Sequence, residues 1–207
     1  LEGGGNLFDS AQTWKVKRYI QQSCGFYLDG KGQLSTESSP LRTVAPGSIG
    51  ESSRMYAALE KRLLSSPALE SVGLRYGFFY GPGTWYWPDG AFSTHLRQGE
   101  IPLMGAGSSI FSFIHVDDAA QATVEALTAP VGLYNVVDDQ PTKISDWLPA
   151  YANWIGAHTP SCLDTQEALH LSGEEGVYYQ NNLTGACNRK AKDILKLNPQ
   201  KLPWLNK

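Results

Sequence analysis

Hydrophobic residues in this chain are grouped into short runs separated by segments rich in glycine, serine and proline. The clearest run covers residues 72–80, contains Arg75 as its one charge and ends at Gly81-Pro82-Gly83. Because the run shows almost no alternation of apolar and polar positions, it predicts a strand buried on both faces, as in a parallel sheet. Together with two further runs, it predicts three parallel core strands at 16–23, 71–79 and 133–137.

Other segments carry apolar residues at helical spacing. Leu7, Ala11 and Trp14 lie at i, i+4 and i+7, which predicts a helix over 6–14 with one apolar stripe. The preceding Gly3-Gly4-Gly5 does not follow a strand, as the G-x-G-x-x-G fingerprint of a dinucleotide loop would require. We therefore interpret these glycines as a flexible start or a lead-in to the helix.

Three later segments complete the predicted helical pattern. A helix ending near Leu64 is expected to begin with Ser52 or Ser53 as its cap. Asp117 and Asp118 are expected to cap a helix over 118–127 and to interact favourably with its dipole. A third helix is expected over 145–156, whereas 159–175 shows no clear period. The inward face of the first of these helices is predicted to carry Met55, Leu59 and Leu63.

Composition narrows the class of protein. The 207 residues are 42% hydrophobic and 18% charged, as in an ordinary soluble globular protein. A net charge of -3 gives no electrostatic basis for binding nucleic acid or an anionic membrane, and no apolar run approaches the roughly 18 residues that span a bilayer. The three widely spaced cysteines form neither a metal-ligand pattern nor a disulfide framework, so we expect no metal and a reduced, cytoplasmic setting.

Three stretches, taken together and in order, resemble a known family. They are SVGLRYGFFYGPG at 71–83, FSFIHVDDAAQATVEAL at 111–127 and GLYNVVDD at 132–139. The extended short-chain dehydrogenases/reductases, the NAD-dependent epimerases and dehydratases, show an LRxxxxYGPG strand end, a substrate-binding insertion, an FIHVDDxA helix start and a YNV strand. The resemblance runs from about Asn6 to the C-terminus.

The resemblance implies an α/β fold that contains the later strands of a Rossmann-type parallel sheet and a small mixed substrate-binding portion. Residues 1–83 and 128–145 would form the partial Rossmann-type core, and 84–127 and 146–207 the substrate-binding portion. The family's earlier strands and glycine-rich loop are not found in these 207 residues, and the first residue is Leu1. We therefore expect a C-terminal portion whose open sheet edge is covered by a separate N-terminal piece or by a second copy in a homo-oligomer.

The resemblance also implies two catalytic residues. Ser23, four residues before Tyr27, matches the family's serine that hydrogen-bonds the reacting substrate oxygen, and Tyr56 matches the tyrosine of the family's Y-x-x-x-K helix. There the lysine binds the nicotinamide ribose and lowers the tyrosine pKa for proton transfer. This chain instead carries Glu60 at i+4, on the same helix face as Tyr56, with Lys61 one step further. A carboxylate there raises a tyrosine pKa, so Tyr56 as a core aromatic and Ser23 as a strand-end serine stay open as alternatives.

The remaining site residues also come from the resemblance. Around the strand end, Tyr76, Gly77 and Phe78 are expected to contact an NAD or NADP cofactor. The aromatic patch TWYWPD at 84–89 offers rings that stack on a flat ligand or a sugar ring, or that cover a core. The residues expected to bind a small-molecule substrate are Tyr27, Phe79, Trp85 and Tyr86.

Two functions follow from these features. The first is an NAD(P)-dependent oxidoreductase or epimerase that acts on a sugar nucleotide or a similar small carbonyl or hydroxyl compound. The second is a non-catalytic remnant or binding module on the same scaffold, which Glu60 favours. Since the chain shows no glycine-rich phosphate loop, we expect it to bind the cofactor poorly by itself.

Overall fold

A computed structural model describes residues 2–66 and 69–205 of the chain. Its helices and strands alternate along much of the sequence, as in α/β proteins. In chain order they are α1 (Glu2–Thr13), β1 (Arg18–Cys24), α2 (Gly47–Leu64), β2 (Glu70–Tyr76), β3 (Phe78–Tyr80), α3 (Ala91–Arg97), β4 (Leu103–Met104), β5 (Ile110–Phe111), β6 (Phe113–His115), α4 (Val116–Glu125), β7 (Gly132–Val136), β8 (Thr142–Lys143), α5 (Ile144–Trp154), β9 (Cys162–Leu163), α6 (Thr165–Asn181) and α7 (Arg189–Leu195).

The central sheet consists of parallel strands in the order β1-β2-β7. The predicted α/β class and the three parallel core strands are therefore confirmed. Ser23 of β1 lies opposite Arg75 of β2, and Arg75 lies opposite Asn135 of β7. Within the part of the chain that the structure describes, β1 forms an outer edge of this sheet. The register brings polar side chains of all three strands to the same level near the carboxyl ends of β1 and β2.

Helices cover both faces of the central sheet. Apolar residues of α4 and α7 pack on the face that carries Val72 and Leu74. Residues of α1 and α2 pack on the opposite face, where Phe8, Leu63 and Leu133 meet. This two-sided burial explains why the strand sequences are apolar without alternation.

The run at 72–80 was predicted to be one strand, and the structure corrects this. β2 ends at Tyr76, and β3 pairs with β6 instead of with β7. Gly77 marks the change of partner: its N–H donates to Val136 O, at 3.1 Å, and the next N–H donates to Ser112 O, at 2.9 Å. A side chain at 77 would place its Cβ 2.5 Å from Ser112 O, so the close backbone approach requires glycine.

The apolar stripe of α1 also differs from the prediction. Ala11 is buried as expected, but Leu7 is 65% and Trp14 80% exposed, and Phe8 is buried instead. Phe8 packs edge-on against Tyr19 at a centroid distance of 5.4 Å. The buried position is therefore shifted by one residue, from Leu7 to Phe8. The glycines at 3–5 lie within α1 itself.

Three helix starts or extents were predicted wrongly. α2 begins at Gly47 after Pro46, ahead of the predicted serine caps, and of its predicted inward residues Met55 is only half-buried. α4 is capped by His115, whose Nδ1 accepts from the Asp117 N–H at 3.2 Å, so neither aspartate is the cap. α6 occupies much of 159–175, with a capping box at Asp164 and a non-helical Gly173. The polar composition of α6 had hidden its helical period.

Candidate functional site

Glu60, Arg75 and Ser23 form a buried polar cluster at the carboxyl end of the central sheet. Arg75 donates from Nε to Glu60 Oε1 and from Nη2 to Glu60 Oε2, each at 2.7 Å. Ser23 Oγ donates to Glu60 Oε1 at 2.6 Å. The side chains of Arg75 and Glu60 are only 4% and 8% exposed. This two-point contact is the strongest geometry of an arginine–carboxylate pair.

The same arginine holds the loop between β1 and α2. Arg75 Nη1 donates to the backbone oxygens of Glu37, at 3.1 Å, and of Ser39, at 3.4 Å. Glu37 in turn accepts from the Asn135 N–H of β7 at 3.0 Å. The buried guanidinium thus has four hydrogen-bond acceptors, two on the Glu60 carboxylate and two on the loop backbone. The cluster joins β1, α2, β2 and the loop.

The cluster changes the interpretation of Ser23. Its hydroxyl proton is directed at Glu60, and the residue is only 3% exposed. Ser23 lines neither of the two aromatic cavities described below. The structure therefore brings Ser23 to the Glu60–Arg75 pair, and a role toward substrate stays a prediction.

Tyr56 lies half-buried on α2, one turn before Glu60. It packs against a small apolar cluster that includes Cys24, Leu28 and Leu41. Burial raises the pKa of Tyr56 and the nearby Cys24 thiol raises it further. The sequence predicted that the Glu60 carboxylate raises the pKa of Tyr56. This pKa is raised, but its main cause is burial. The Glu60 carboxylate is already paired with Arg75.

Two adjoining cavities lie beyond the carboxyl end of β2. The first, which we call the β3 cavity, has a volume of about 400 Å³. It is lined by Phe26, Tyr27, Gly77, Phe78, Phe79, Trp85, Tyr86 and Tyr179. The second, the α6 cavity, has a volume of about 470 Å³ and shares Tyr27, Trp85, Tyr86 and Tyr179 with the first. We refer to the two together as the aromatic cleft; each is in the size range of small-molecule sites.

The residues predicted to bind substrate come together in this cleft. Tyr27, Phe79, Trp85 and Tyr86 all line the β3 cavity. The predicted cofactor contacts divide: Gly77 and Phe78 line the same cavity, but Tyr76 lies on the α4 side of the sheet. The Tyr76 hydroxyl is 2.6 Å from that of Thr123, and the ring belongs to the core beneath α4.

The sequence did not point to two residues of the β3 cavity, Phe26 and Tyr179. Phe26 stacks on Phe78 at a centroid distance of 4.2 Å with 21° between the ring planes. Tyr179 lies edge-on to Phe78 at 6.0 Å. Phe26 stands directly before the predicted Tyr27, but no local signal connects α6 with β3. Trp85, by contrast, is 66% exposed at the cleft and offers an uncovered ring.

The polar side chains among the described lining residues of the cleft are three phenols, one carboxylate, one hydroxyl and one amide: Tyr27, Tyr86, Tyr179, Glu175, Ser172 and Gln180. Burial raises the pKa of Tyr27 to about 12 and keeps those of Tyr86 and Tyr179 well above their ordinary value. Glu175 accepts from the N–H of Ser48 at 3.2 Å and from its hydroxyl, at the start of α2. None of the described residues that line the cleft is Lys or Arg. At neutral pH the cleft therefore offers protonated hydroxyl donors and aromatic faces.

The described residues contain neither a metal-binding cluster nor a membrane-spanning helix. Over residues 2–66 and 69–205, no group of three or more His, Cys, Asp or Glu side chains could hold a metal ion. No helix in the described part of the chain is long and apolar enough to cross a membrane.

A parallel sheet covered by helices on both faces, with a cleft beyond the carboxyl end of a strand, defines a Rossmann-type α/β protein. The family model for the NAD dependent epimerase/dehydratase family matches residues 1–136. The chain belongs to this family of short-chain dehydrogenase/reductase-type enzymes.

One relative is similar over almost the whole chain. The 3-diazoavenalumate denitrifying reductase of a Streptomyces species is 34% identical over 205 residues, which are 98% of this chain and 67% of the relative. The family resemblance seen in the sequence is thus confirmed, and the homologues include a reductase. The chain spans about two thirds of the length of this relative.

Solved structures show the same fold. A conserved protein of unknown function from Silicibacter pomeroyi has a TM-score of 0.73 and 25% identity, covering 97% of this chain and 68% of its own. The UDP-glucose 4-epimerase of Thermus thermophilus, in complex with NAD, has a TM-score of 0.70 and 23% identity, covering 99% and 66%. At this identity the second match shows the fold alone.

The family name implies a nicotinamide cofactor, and the residues present suit only part of this cofactor. Gly77 and Phe78 line a cavity whose flat walls match a planar ring. At the position of the family's ribose-binding lysine, however, stands Glu60, a buried carboxylate already paired with Arg75. The described residues therefore fit the ring, but this helix position offers the ribose no cation.

Proposed function

We propose that this chain forms the substrate-binding side of a nicotinamide-dependent oxidoreductase that acts on a small planar aromatic compound. The observation that carries the proposal is the aromatic cleft. Trp85 presents an exposed ring beside buried phenols, and the described lining residues include no Lys or Arg. Such a cleft stabilises a flat, uncharged ring by stacking and by burial of apolar surface.

The cleft is less suited to the sugar nucleotide that the sequence suggested. A diphosphate is bound by arginine or lysine side chains or by backbone N–H groups at a helix start. Among the described residues, the one charged side chain that lines the cleft is Glu175, and its carboxylate would repel a phosphate. The structures of family members with nucleotide sugars share the fold but are too distant in sequence to transfer a substrate.

The relative with 34% identity supports reductase chemistry on a small molecule, since its name describes a reductase acting on 3-diazoavenalumate. When bound, a nicotinamide would supply hydride. The residues of this chain would bind the substrate, orient it and exclude water. NAD and NADP are both compatible with this proposal.

A binding module without catalysis is the second candidate. It is favoured by one observation, the replacement of the family's lysine by Glu60 in a buried pair with Arg75. Because this arrangement removes the cation that lowers the pKa of the family tyrosine, a reaction that depends on that tyrosine would be slow.

Binding of defined probes tests the proposal. We would titrate the purified protein with benzaldehyde, styrene and UDP-glucose by ligand-observed NMR. We expect both aromatic probes to bind and Trp85→Ala to weaken them about threefold to tenfold, the usual range for an aromatic stacking contact. Trp14→Ala is the matched control, because Trp14 is 80% exposed but lies outside the cleft. UDP-glucose binding in the absence of aromatic binding would overturn the proposal.

Turnover separates the two candidates. We would follow the absorbance of NADH and NADPH at about 340 nm with a panel of aromatic aldehydes, ketones and diazo compounds. Consumption that depends on the aromatic compound and on Trp85 supports the oxidoreductase. Aromatic binding without consumption across the panel favours the binding module.

The setting and assembly are further proposals. The three cysteines are unpaired, and Cys162 is exposed, which supports a reducing, cytoplasmic setting.

The outer side of β1 has no strand partner among the described residues, which supports pairing with another polypeptide or a second copy. Size-exclusion chromatography with mass spectrometry tests the assembly; a monomeric single species would contradict it.

A further inference from the structure

The aromatic cleft contains a phenol that is better placed toward a ligand than the family's tyrosine. Tyr27 lines both the β3 cavity and the α6 cavity. Tyr56 lines neither, although both residues belong to the same small apolar cluster. Of these two tyrosines, one just after β1 and the other on α2, the structure thus directs Tyr27 to the cleft.

The Tyr27 ring is held in place by its neighbours. It packs edge-on against Phe26 at a centroid distance of 4.7 Å, and Phe26 in turn stacks on Phe78. The Tyr27 backbone oxygen accepts from the Arg42 N–H at 2.9 Å. A side chain held by packing and backbone contacts loses little conformational entropy when a ligand binds.

The Tyr27 hydroxyl is a proton donor that is not already committed. Within residues 2–66 and 69–205 it makes no hydrogen bond, whereas the hydroxyls of Tyr86 and Tyr179 are close enough to affect each other's pKa. Burial, and then the nearby Cys24 and Glu175, raise the Tyr27 pKa to about 12. The phenol therefore keeps its proton at neutral pH and can donate it to an acceptor in the cleft.

Among the described residues, Tyr56 is not surrounded by the lysine and the serine hydroxyl that the family places beside its tyrosine. The residue one turn later is Glu60, whose two oxygens are taken by Arg75 and Ser23. Neither a lysine nor an available serine hydroxyl therefore supports Tyr56 at the positions that the family uses. Tyr56 is left as a packing residue beside the cleft.

We propose that Tyr27, and not Tyr56, is the hydrogen-bond donor that orients the ligand in the aromatic cleft. The ligand it selects is a planar aromatic compound with a neutral oxygen acceptor, such as a carbonyl group, next to the ring. A carboxylate is disfavoured because the described lining offers no cation, while an acceptor-free ring covers the half-buried Tyr27 phenol without giving it a partner. This inference rests on the proposed function, since it assumes an aromatic ligand in the cleft.

A matched pair of probes tests the inference. Benzaldehyde and styrene have nearly the same planar shape, but only benzaldehyde carries an oxygen acceptor. We expect Tyr27→Phe to weaken benzaldehyde binding about fivefold to tenfold, as for one neutral hydrogen bond, and to change styrene binding less than about twofold. Tyr56→Phe should leave both dissociation constants unchanged.

Loss of a single hydroxyl with no protein partner should not unfold the protein, and thermal unfolding of both variants checks this. Equal benzaldehyde binding by the unaltered protein and Tyr27→Phe would overturn the inference, as would a selective loss in Tyr56→Phe. In either case retained styrene binding would leave the proposed function standing. If neither probe binds the unaltered protein, the proposed function fails and this inference fails with it.

Discussion

Glu60 on α2 and Arg75 on β2 form a buried two-point ion pair, with both contacts at 2.7 Å, at the position where the family's helix carries its lysine. The pair neutralises a carboxylate that would otherwise lie unpaired beside Tyr56. Glu60 also accepts a hydrogen bond from the Ser23 hydroxyl, which is therefore directed at the pair and not at the cleft. One substitution in a familiar motif has thus become part of the structural core.

The first prediction concerns the stability that depends on this pair. Glu60→Gln and Arg75→Met each leave one buried charge without its partner, which costs about 3–5 kcal/mol of unfolding free energy. Urea unfolding measures the loss. Lys192→Met is the control, because the Lys192–Asp139 pair is about half exposed and should be worth less than about 1 kcal/mol. Equal small effects in all three variants would contradict the buried pair.

A second prediction follows for Glu60→Lys. From the sequence, this change would recreate the family motif; it would raise activity if Tyr56 is catalytic and leave activity unchanged if Tyr56 is a core residue. In the structure it places a lysine against the buried Arg75, so we expect a destabilised protein rather than an activated one. Adding Arg75→Glu to Glu60→Lys should recover part of the stability by reversing the pair. A stable, more active single variant would show that the ion pair is not formed.

The third prediction concerns pH and Asp138. Burial raises the pKa of this carboxyl from 3.8 to about 7, against the lowering effect of hydrogen bonds from the backbone N–H groups of Gln140 and Phe113. Between pH 4 and 7 the folded state therefore holds a proton that the unfolded state has released, so this group's contribution to stability falls as pH rises.

Asp138→Asn removes this titration. The quantity to follow is the unfolding free energy of the original protein minus that of the variant. We expect this difference to fall by up to about 4 kcal/mol from pH 4 to 7 and to level off above pH 7. Urea unfolding at a series of pH values measures it. A difference that rises with pH would mean that the hydrogen bonds dominate and that the pKa is lowered.

The fourth prediction concerns the change of strand partner at Gly77. Alanine there brings a Cβ to 2.5 Å from Ser112 O, a backbone atom that cannot move away without disturbing β6. We expect Gly77→Ala to cost about 1–3 kcal/mol, as for an overpacked core site, and to weaken ligand binding in the β3 cavity. Gly99→Ala is not a suitable control, because its φ of 75° strains alanine by itself. Gly3→Ala is suitable, since Gly3 is helical and, apart from its chain neighbours and the adjacent backbone of its own helix, no described atom lies within 4 Å of the position that an alanine Cβ would take there.

Much of the core could be predicted from local pattern. The unbroken apolar runs indicated parallel strands, and the structure pairs β1, β2 and β7 within three residues of the predicted bounds. Trp85 and Tyr86, which follow the strand end, were predicted to bind substrate, and the structure places both in the lining of the β3 cavity. That they bind substrate stays a prediction. The division of the chain into core and substrate-binding portions stays a prediction.

The sequence by itself determined the class of fold and the family, because the spacing of apolar residues and the order of short motifs are local properties. Tertiary structure decided which charges meet: Glu60 and Arg75 come together only because α2 packs on β2, and Ser23 joins them through the register of β1. It also decided that Tyr179 of α6 completes the cleft. Contacts between distant segments depend on packing and on strand register, and neither leaves a periodic signal in the chain.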